Sequence, residues 1–169
     1  LYDDLIRVPL IFTGNCISTR KIIHNQVPSI GIFPTILDLI GLQQMNEKID
    51  GVSLIPLIKN QSFIENPIYI ETAAVTPPPE LTGDVVGIRT HEFKYFRSRK
   101  NPKKNVHLYN LKNDPLEETN LIKINSEMAD KMELILINFL KKSKSSISKN
   151  IMDEETREIQ NELKKLGYV

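Results

Sequence analysis

Three features of the sequence predict an α/β protein that becomes α+β along its length. They are an apolar run behind a short helical turn within residues 1–13, four strand-length runs of period-two alternation between residues 68 and 111, and an apolar stripe at helical spacing from 128 to 140. The first calls for the covered interior of a sheet, the second for a small antiparallel sheet, and the third for a helix lying across it. The 169 residues, 40% of them hydrophobic, suffice for one domain of ordinary size or the end of a larger one. A net charge of +1 and a pI near 8.0 imply no global preference for nucleic acid or membrane. No apolar run reaches the roughly 18–20 residues of a spanning helix, so this portion is expected to be soluble and not membrane-bound. Cys16 is the single cysteine, which excludes an internal disulfide and leaves the redox compartment open.

Residues 1–7 read as a short helix and 8–13 as a strand apolar on both faces, ended by Gly14 and Asn15. Such a strand needs neighbours, and the nearby sequence offers none, so they are expected upstream of Leu1. Because Leu1 is not an initiator methionine, the N-terminus reads as a cut, which leaves signal peptide and localisation unknown. Asp3 and Asp4 could serve a hard cation, but two acids at a helix start are accounted for by the helix dipole. His24 has no acid near it in sequence to orient its ring as a base.

A helix is predicted over 29–42, with Ile32, Ile36, Leu39 and Ile40 as its apolar face, Pro34 tolerated in the first turn and Gly41 as C-cap. Residues 43–66 read as mostly loop, with Asn60-Gln61-Ser62 a glycosylation sequon by pattern. Strands follow at 68–71, 85–90, 93–97 and 106–111, in order a four-stranded antiparallel sheet. Only His91-Glu92 separates the middle two. These are poor residues for the primed turns of a tight hairpin, so a longer turn or bulge is an alternative. Residues 72–84 contain Thr76-Pro77-Pro78-Pro79-Glu80 and should be extended and stiff, as in loops that border sites.

Arg89, Lys94, Arg97, Arg99, Lys100, Lys103 and Lys104 interleave with Phe93, Tyr95 and Phe96. A basic hairpin with aromatics could bind nucleic acid, but alternation places Phe93, Tyr95 and Arg97 on one face and Lys94 and Phe96 on the other, so the core claims at least one aromatic set. The charge that remains collects in residues 98–105 as a solvated tip. In the run VHLYNLKNDPLEETNL, residues 106–121, Asp114 reads as an N-cap, Pro115 as the first helical position, Glu117 as the capping-box partner and Asn120 as a left-handed terminator. Asn125 or Ser126 caps a helix whose stripe is Met128, Met132, Ile135 and Phe139, widened by Leu136 and Leu140. Residues 141–150 read as a polar linker, and a last helix from about Asp153 has Ile159, Leu163 and Leu166 as its seam.

The phrase LYNLKNDPLEETNL resembles one that closes the C-terminal sheet of sulfatases in the alkaline-phosphatase superfamily. LYDDLIRVPLIF at 1–12, FPTILDLIGL at 33–42, DGVSLIPLI at 50–58, VGIRTHEFKYF at 86–96 and LKKLGYV at 163–169 resemble further segments of that family in the same order. The family usually has Asp where this chain has Gly31. The resemblance implies that residues 1–65 are the end of a large mixed-sheet α/β/α catalytic domain, 66–142 a subdomain of four antiparallel strands plus a helix, and 143–169 a linker and terminal helix. Cys16, Ser18 and Arg20 fit the short sulfatase nucleophile pattern, yet they follow the late RVPLIF segment instead of opening the domain, so Cys16 reads as a loop residue. By the resemblance, a formylglycine and a calcium-type divalent cation act in the parent protein on a sulfate ester, on residues upstream of this chain. No catalytic or metal residue is then expected here, and the upstream catalytic portion is the expected partner. Glu71, Thr72 and Arg89, at or near strand ends beside the Pro-rich loop, are the candidates for pocket wall. A phosphodiesterase or phosphonate monoester hydrolase of the same superfamily shares this layout and is the alternative, with a free-standing basic nucleic-acid module as the rival of another class.

Overall fold

A computed structural model describes residues 1–14, 17, 20–42, 49–72 and 84–150, the last eight by backbone alone. Cys16 and Ser18, most of the Pro-rich loop and the terminal helix lie outside the described residues.

The four strands form as expected. β1 (Ile68–Thr72), β2 (Val85–Arg89), β3 (Phe93–Ser98) and β4 (His107–Asn110) pair antiparallel in the order β1-β2-β3-β4. The hairpin between β2 and β3 is tight after all. Its two tip residues, His91 and Glu92, keep negative φ, and Thr90 replaces the primed-turn geometry with its side chain. The Thr90 Oγ1 accepts from the Phe93 N–H at 3.0 Å while the Thr90 N–H donates to the Phe93 carbonyl at 2.8 Å.

The helix α4 (Ser126–Asn150) covers one face of this sheet. Asn125 caps it, its Oδ1 accepting from the Met128 N–H at 3.2 Å. Val86, Ile88, Tyr95 and Leu108 from the sheet meet Ala129, Met132 and Leu136 from the helix in the main core. The stripe is therefore centred on Ala129, Met132 and Leu136, with Met128, Ile135 and Leu140 at its margins and Phe139 stacked on Tyr69 at 6.4 Å. The helix also runs through the residues read as a linker. Residues 141–150 are lysine, serine, isoleucine and asparagine without glycine or proline, so nothing in them ends a helix already nucleated.

The first 65 residues depart more from expectation. α1 (Asp3–Ile6) forms, but residues 8–13 carry no regular structure, and Val8 and Ile11 are 71% and 82% exposed. An apolar run supplies the side chains of a buried strand, yet a strand also needs a neighbouring edge, and none of the described residues provides one. A 3-10 turn, Ser29–Gly31, leads into α2 (Ile32–Leu39). Gly41, at φ +74°, closes it as expected: Leu42 N–H reaches the Leu37 carbonyl at 3.0 Å and Gly41 N–H that of Asp38 at 3.3 Å, the Schellman pattern. The expected apolar face is not the buried one. Ile36 and Ile40 are exposed, and the side chain α2 buries is Thr35, whose hydroxyl donates to the Gly31 carbonyl at 2.5 Å and accepts from the Leu54 N–H at 2.8 Å. Gly31 is where the family usually has Asp, and here the residue must be small. A Cβ on it would stand 2.8 Å from the Val52 carbonyl oxygen, so this loop could not pack against any larger side chain without moving. α3 (Ile55–Ile58) follows and buries Leu57.

The corner after β4 is also rebuilt. The helix that Asp114 is expected to cap does not form: turns follow it, and its carboxylate accepts instead from Glu118 N–H at 3.1 Å and Thr119 N–H at 2.9 Å, closing the corner. Glu117 is the left-handed residue, at φ +57°, and faces inward. Asn120 is extended, and its side chain ties the Val106 carbonyl, the Leu108 N–H and the Ile122 N–H together.

Candidate functional site

The sheet has two chemically distinct ends. At the first, β2 ends in Arg89 and β3 begins at Lys94's neighbour Phe93, both strands presenting a cation to the face away from α4. Period two alone puts them there: Arg89 and Lys94 are partners in register, on the same face as Gly87 and Phe96. Lys94 is completely buried. A buried ammonium requires carboxylates, and two segments remote in sequence bring them. Lys94 Nζ donates to Asp3 Oδ1 at 2.8 Å and pairs with Glu117 Oε1. Arg89 grips the same Asp3 with both arms of its guanidinium, Nε at 3.0 Å and Nη2 at 2.6 Å, and its third nitrogen donates to Gln26 Oε1. Glu117 Oε2 completes the cluster by accepting the Asp3 backbone N–H at 2.6 Å.

Two cations and two anions balance, so the cluster is a neutral fastener that holds residues 1–7 against the sheet. Burial pushes the Asp3 carboxyl toward a higher pKa, but the hydrogen bonds and charges of Arg89 and Lys94 outweigh it and hold the group at about 2. Tyr2 adds an apolar contact, its ring 5.9 Å from Phe96 and 5.9 Å from Tyr109. A surface depression of about 540 Å3 opens beside the cluster between Tyr2, Asp4, Arg7 and Leu116. Its two inner carboxylates, Asp3 and Glu117, are already engaged, so they offer it neither a free base nor a cation ligand.

At the other end stand Glu71 and Thr72, both exposed. Thr72 pairs with Val85 and Val85 with Ser98, whereas Arg89 pairs with Ile68. Four strand residues, about 13 Å, therefore separate Arg89 from Thr72 along the sheet. The structure thus brings Glu71 and Thr72 together and sets Arg89 apart, within the buried cluster. Glu71 belongs to a network around Arg99, which donates to Asp84 Oδ1 at 2.9 Å, to Tyr69 Oη at 3.2 Å and to Glu71. The Tyr69 hydroxyl donates to Glu71 at 2.6 Å. That bond and Arg99 lower the Glu71 pKa, while burial and the nearby carboxylate push Tyr69 up to about 12. With the Arg99 N–H on the Asp84 carbonyl at 2.8 Å, one residue holds both strand ends that flank residues 73–83.

Sequence reasoning missed Asp3, Lys94 and Glu117 as a unit. The available signal was Lys94 itself, a cation on an inward face between aromatics, which demands a partner. Among the described residues no group of three or more His, Cys, Asp or Glu side chains is placed to hold a metal ion, and Asp3, the strongest candidate, is committed to Arg89 and Lys94. Asp3 is therefore not available as a ligand to the calcium-type cation that the family resemblance implies for the parent. Nor is the aromatic hairpin a base-stacking platform: Tyr95 and Phe96 are each 4% exposed, and Arg97 is bound by Glu133 of α4 at 2.9 Å. Among the described residues, no helix is long and apolar enough to cross a membrane.

Residues 1–146 match the family described as N-sulphoglucosamine sulphohydrolase, C-terminal. Human Arylsulfatase K is 27% identical over 134 residues, which are 72% of this chain and 23% of that protein. A Bacteroides thetaiotaomicron structure assigned as a sulfatase superposes with a TM-score of 0.71 at 24% identity, covering 90% of this chain and 33% of that one. A structure solved with its substrate D-glucosamine-2-N,6-O-disulfate superposes with a TM-score of 0.51 at 26% identity, over 72% of this chain and 24% of that one. The match thus spans about a quarter of the length of the arylsulfatase K relatives.

Proposed function

The chain belongs to the family of N-sulphoglucosamine sulphohydrolase C-terminal regions, and on that premise we propose that it is the C-terminal part of an enzyme that hydrolyses sulfate esters of sugars. The family match over residues 1–146 carries this reading. The family description and the structure solved with a sulfated glucosamine support sulfated sugars as the substrate class. Cleavage of a sulfate ester needs an activated nucleophile, a cation on the sulfuryl oxygens and an acid for the leaving oxygen. In this reading a formylglycine and a calcium-type divalent cation supply that chemistry from residues outside this chain, which by itself is inactive.

The chain's own part is structural. The Asp3, Arg89, Lys94 and Glu117 cluster locks the segment at 1–7 to the small sheet, and so sets where that sheet stands relative to whatever residues 1–65 pack against. Glu71, Thr72 and Arg89 are its pocket-wall residues. Glu71 and Thr72 take that role directly at one end of the sheet, and Arg89 through its hold on Asp3 at the other.

The test is release of inorganic sulfate from glucosamine carrying a 6-O-sulfate as its only sulfuryl group. The protein extended by the upstream portion should release sulfate, and the 169-residue chain alone should not. If the extended protein instead cleaves phosphonate monoesters or phosphodiesters and leaves the sulfate esters intact, the sulfatase reading fails.

A further inference from the structure

We propose that the loop between β3 and β4, residues 98–105, is an exosite for a sulfated oligosaccharide chain, with Lys100, Lys103 and Lys104 as its cations; this rests on the sulfatase reading above. Residues 99–105 are all exposed. The loop nevertheless has a defined shape. Ser98 N–H donates to the Lys104 carbonyl at 3.0 Å and Lys104 N–H to the Asn101 carbonyl at 2.9 Å. The Asn101 side chain accepts from the Lys103 N–H at 3.1 Å, the Ser98 hydroxyl accepts from the Asn101 N–H at 3.3 Å, and Asn105 takes the left-handed turn at φ +53° that brings the chain into β4.

The fourth cation of the loop makes the other three available. Arg99 takes up Glu71 and Asp84, the carboxylates at this end of the sheet, so that Lys100, Lys103 and Lys104 make no ion pair among the described residues. Three ammonium groups on a hydrogen-bonded loop suit a ligand with several negative charges spaced along a flexible chain, as sulfate groups are along a sugar polymer. Position favours the same ligand. Residues 98–105 leave the sheet at the end where Thr72 and Val85 lie, the end at which Glu71 and Thr72 stand in the proposed pocket wall. Nucleic acid is disfavoured because the neighbouring aromatics Tyr95 and Phe96 are buried and cannot stack bases.

Titration calorimetry of the full chain with a heparin-type oligosaccharide, its desulfated form and a single-stranded DNA of equal charge tests this. The sulfated saccharide should bind, and raising salt from roughly 50 to 200 mM should weaken it on the order of tenfold, as release of counterions from three contacts requires. The Lys100→Gln, Lys103→Gln, Lys104→Gln variant should lose that salt-dependent binding and keep the parent's circular dichroism, while a Lys59→Gln, Lys123→Gln control should bind as the parent does. Equal binding by the triple variant, no binding by the parent, or DNA binding as tight as the saccharide's would each overturn the exosite. The outcome is independent of turnover: lysine-dependent affinity in this chain, with no sulfate release by the protein extended by its upstream portion, would sink only the enzymatic reading, and sulfate release by that extended protein without the affinity only the exosite.

Discussion

Lys94 has no exposed surface and sits between two carboxylates that reach it from 91 residues upstream and from the corner after β4. A charge in that position stabilises the fold only while its partners are there. Bringing an ammonium out of water costs several kcal/mol, and the attraction of Asp3 and Glu117 offsets this. Removing one partner is therefore worse than removing the pair. Lys94→Met should lower the free energy of unfolding in urea by about 3–5 kcal/mol, because it strands Glu117, whose side chain is 3% exposed. Adding Glu117→Leu to Lys94→Met should recover a good part of that loss, since the orphaned anion is then gone. If the double variant is as unstable as the sum of the two single ones, the carboxylate is not paired with Lys94 in the way the distances indicate. The fastener is hard to see in sequence because its members are distributed over residues 3, 89, 94 and 117, and no local pattern links them. Glu117 also fits, locally, the helix-cap spacing after Asp114, which hides its inward role.

Among the elements, those whose pattern is completed by their own neighbours were legible. β2, β3 and β4 show period-two alternation against strands next to them in sequence, so their pairing order could be read directly. α4 has a stripe at helical period, but its centre lies on Ala129, Met132 and Leu136 and not on Ile135 and Phe139, and the helix continues through the residues expected to be a linker. The run at 8–13 has the composition of a buried strand, but pairing is a property of two segments and composition reports on one. In α2 the hydroxyl of Thr35 answers both a carbonyl and an N–H, so a polar residue is buried while Ile36 faces out; periodicity of apolar residues cannot anticipate that. The packing of α4 on the sheet has a sharp consequence. Leu136 is fully buried in the main core and Leu134, two residues earlier, is 61% exposed. Leu136→Ala should cost about 2–5 kcal/mol and Leu134→Ala no more than about 0.5, by denaturant unfolding of each. Similar losses at both positions would mean that the face of α4 turned to the sheet is a different one.

At the scale of the whole molecule, exposed apolar side chains are unevenly distributed. Leu5, Val8, Ile11, Ile22, Ile30 and Phe33 are each more than half exposed, as are Ile40, Leu42, Val52 and Ile64, all of them within the first 65 residues. The described part of the sheet and helix unit has a closed core by comparison. In the proposed reading these side chains meet the catalytic portion that precedes this segment. The two halves of the molecule should then respond oppositely to the same kind of substitution. Phe33→Glu with Ile40→Glu places two carboxylates on side chains 58% and 61% exposed in this chain. Unfolding of the 169-residue chain should change by no more than about 0.5 kcal/mol, because both carboxylates remain in water. In the protein extended by its upstream portion the same pair should cost more than about 3 kcal/mol or prevent folding, because each carboxylate would be buried without a partner. An equal and small effect in both proteins would show that this face stays in water, and the catalytic portion would then have to meet the chain elsewhere.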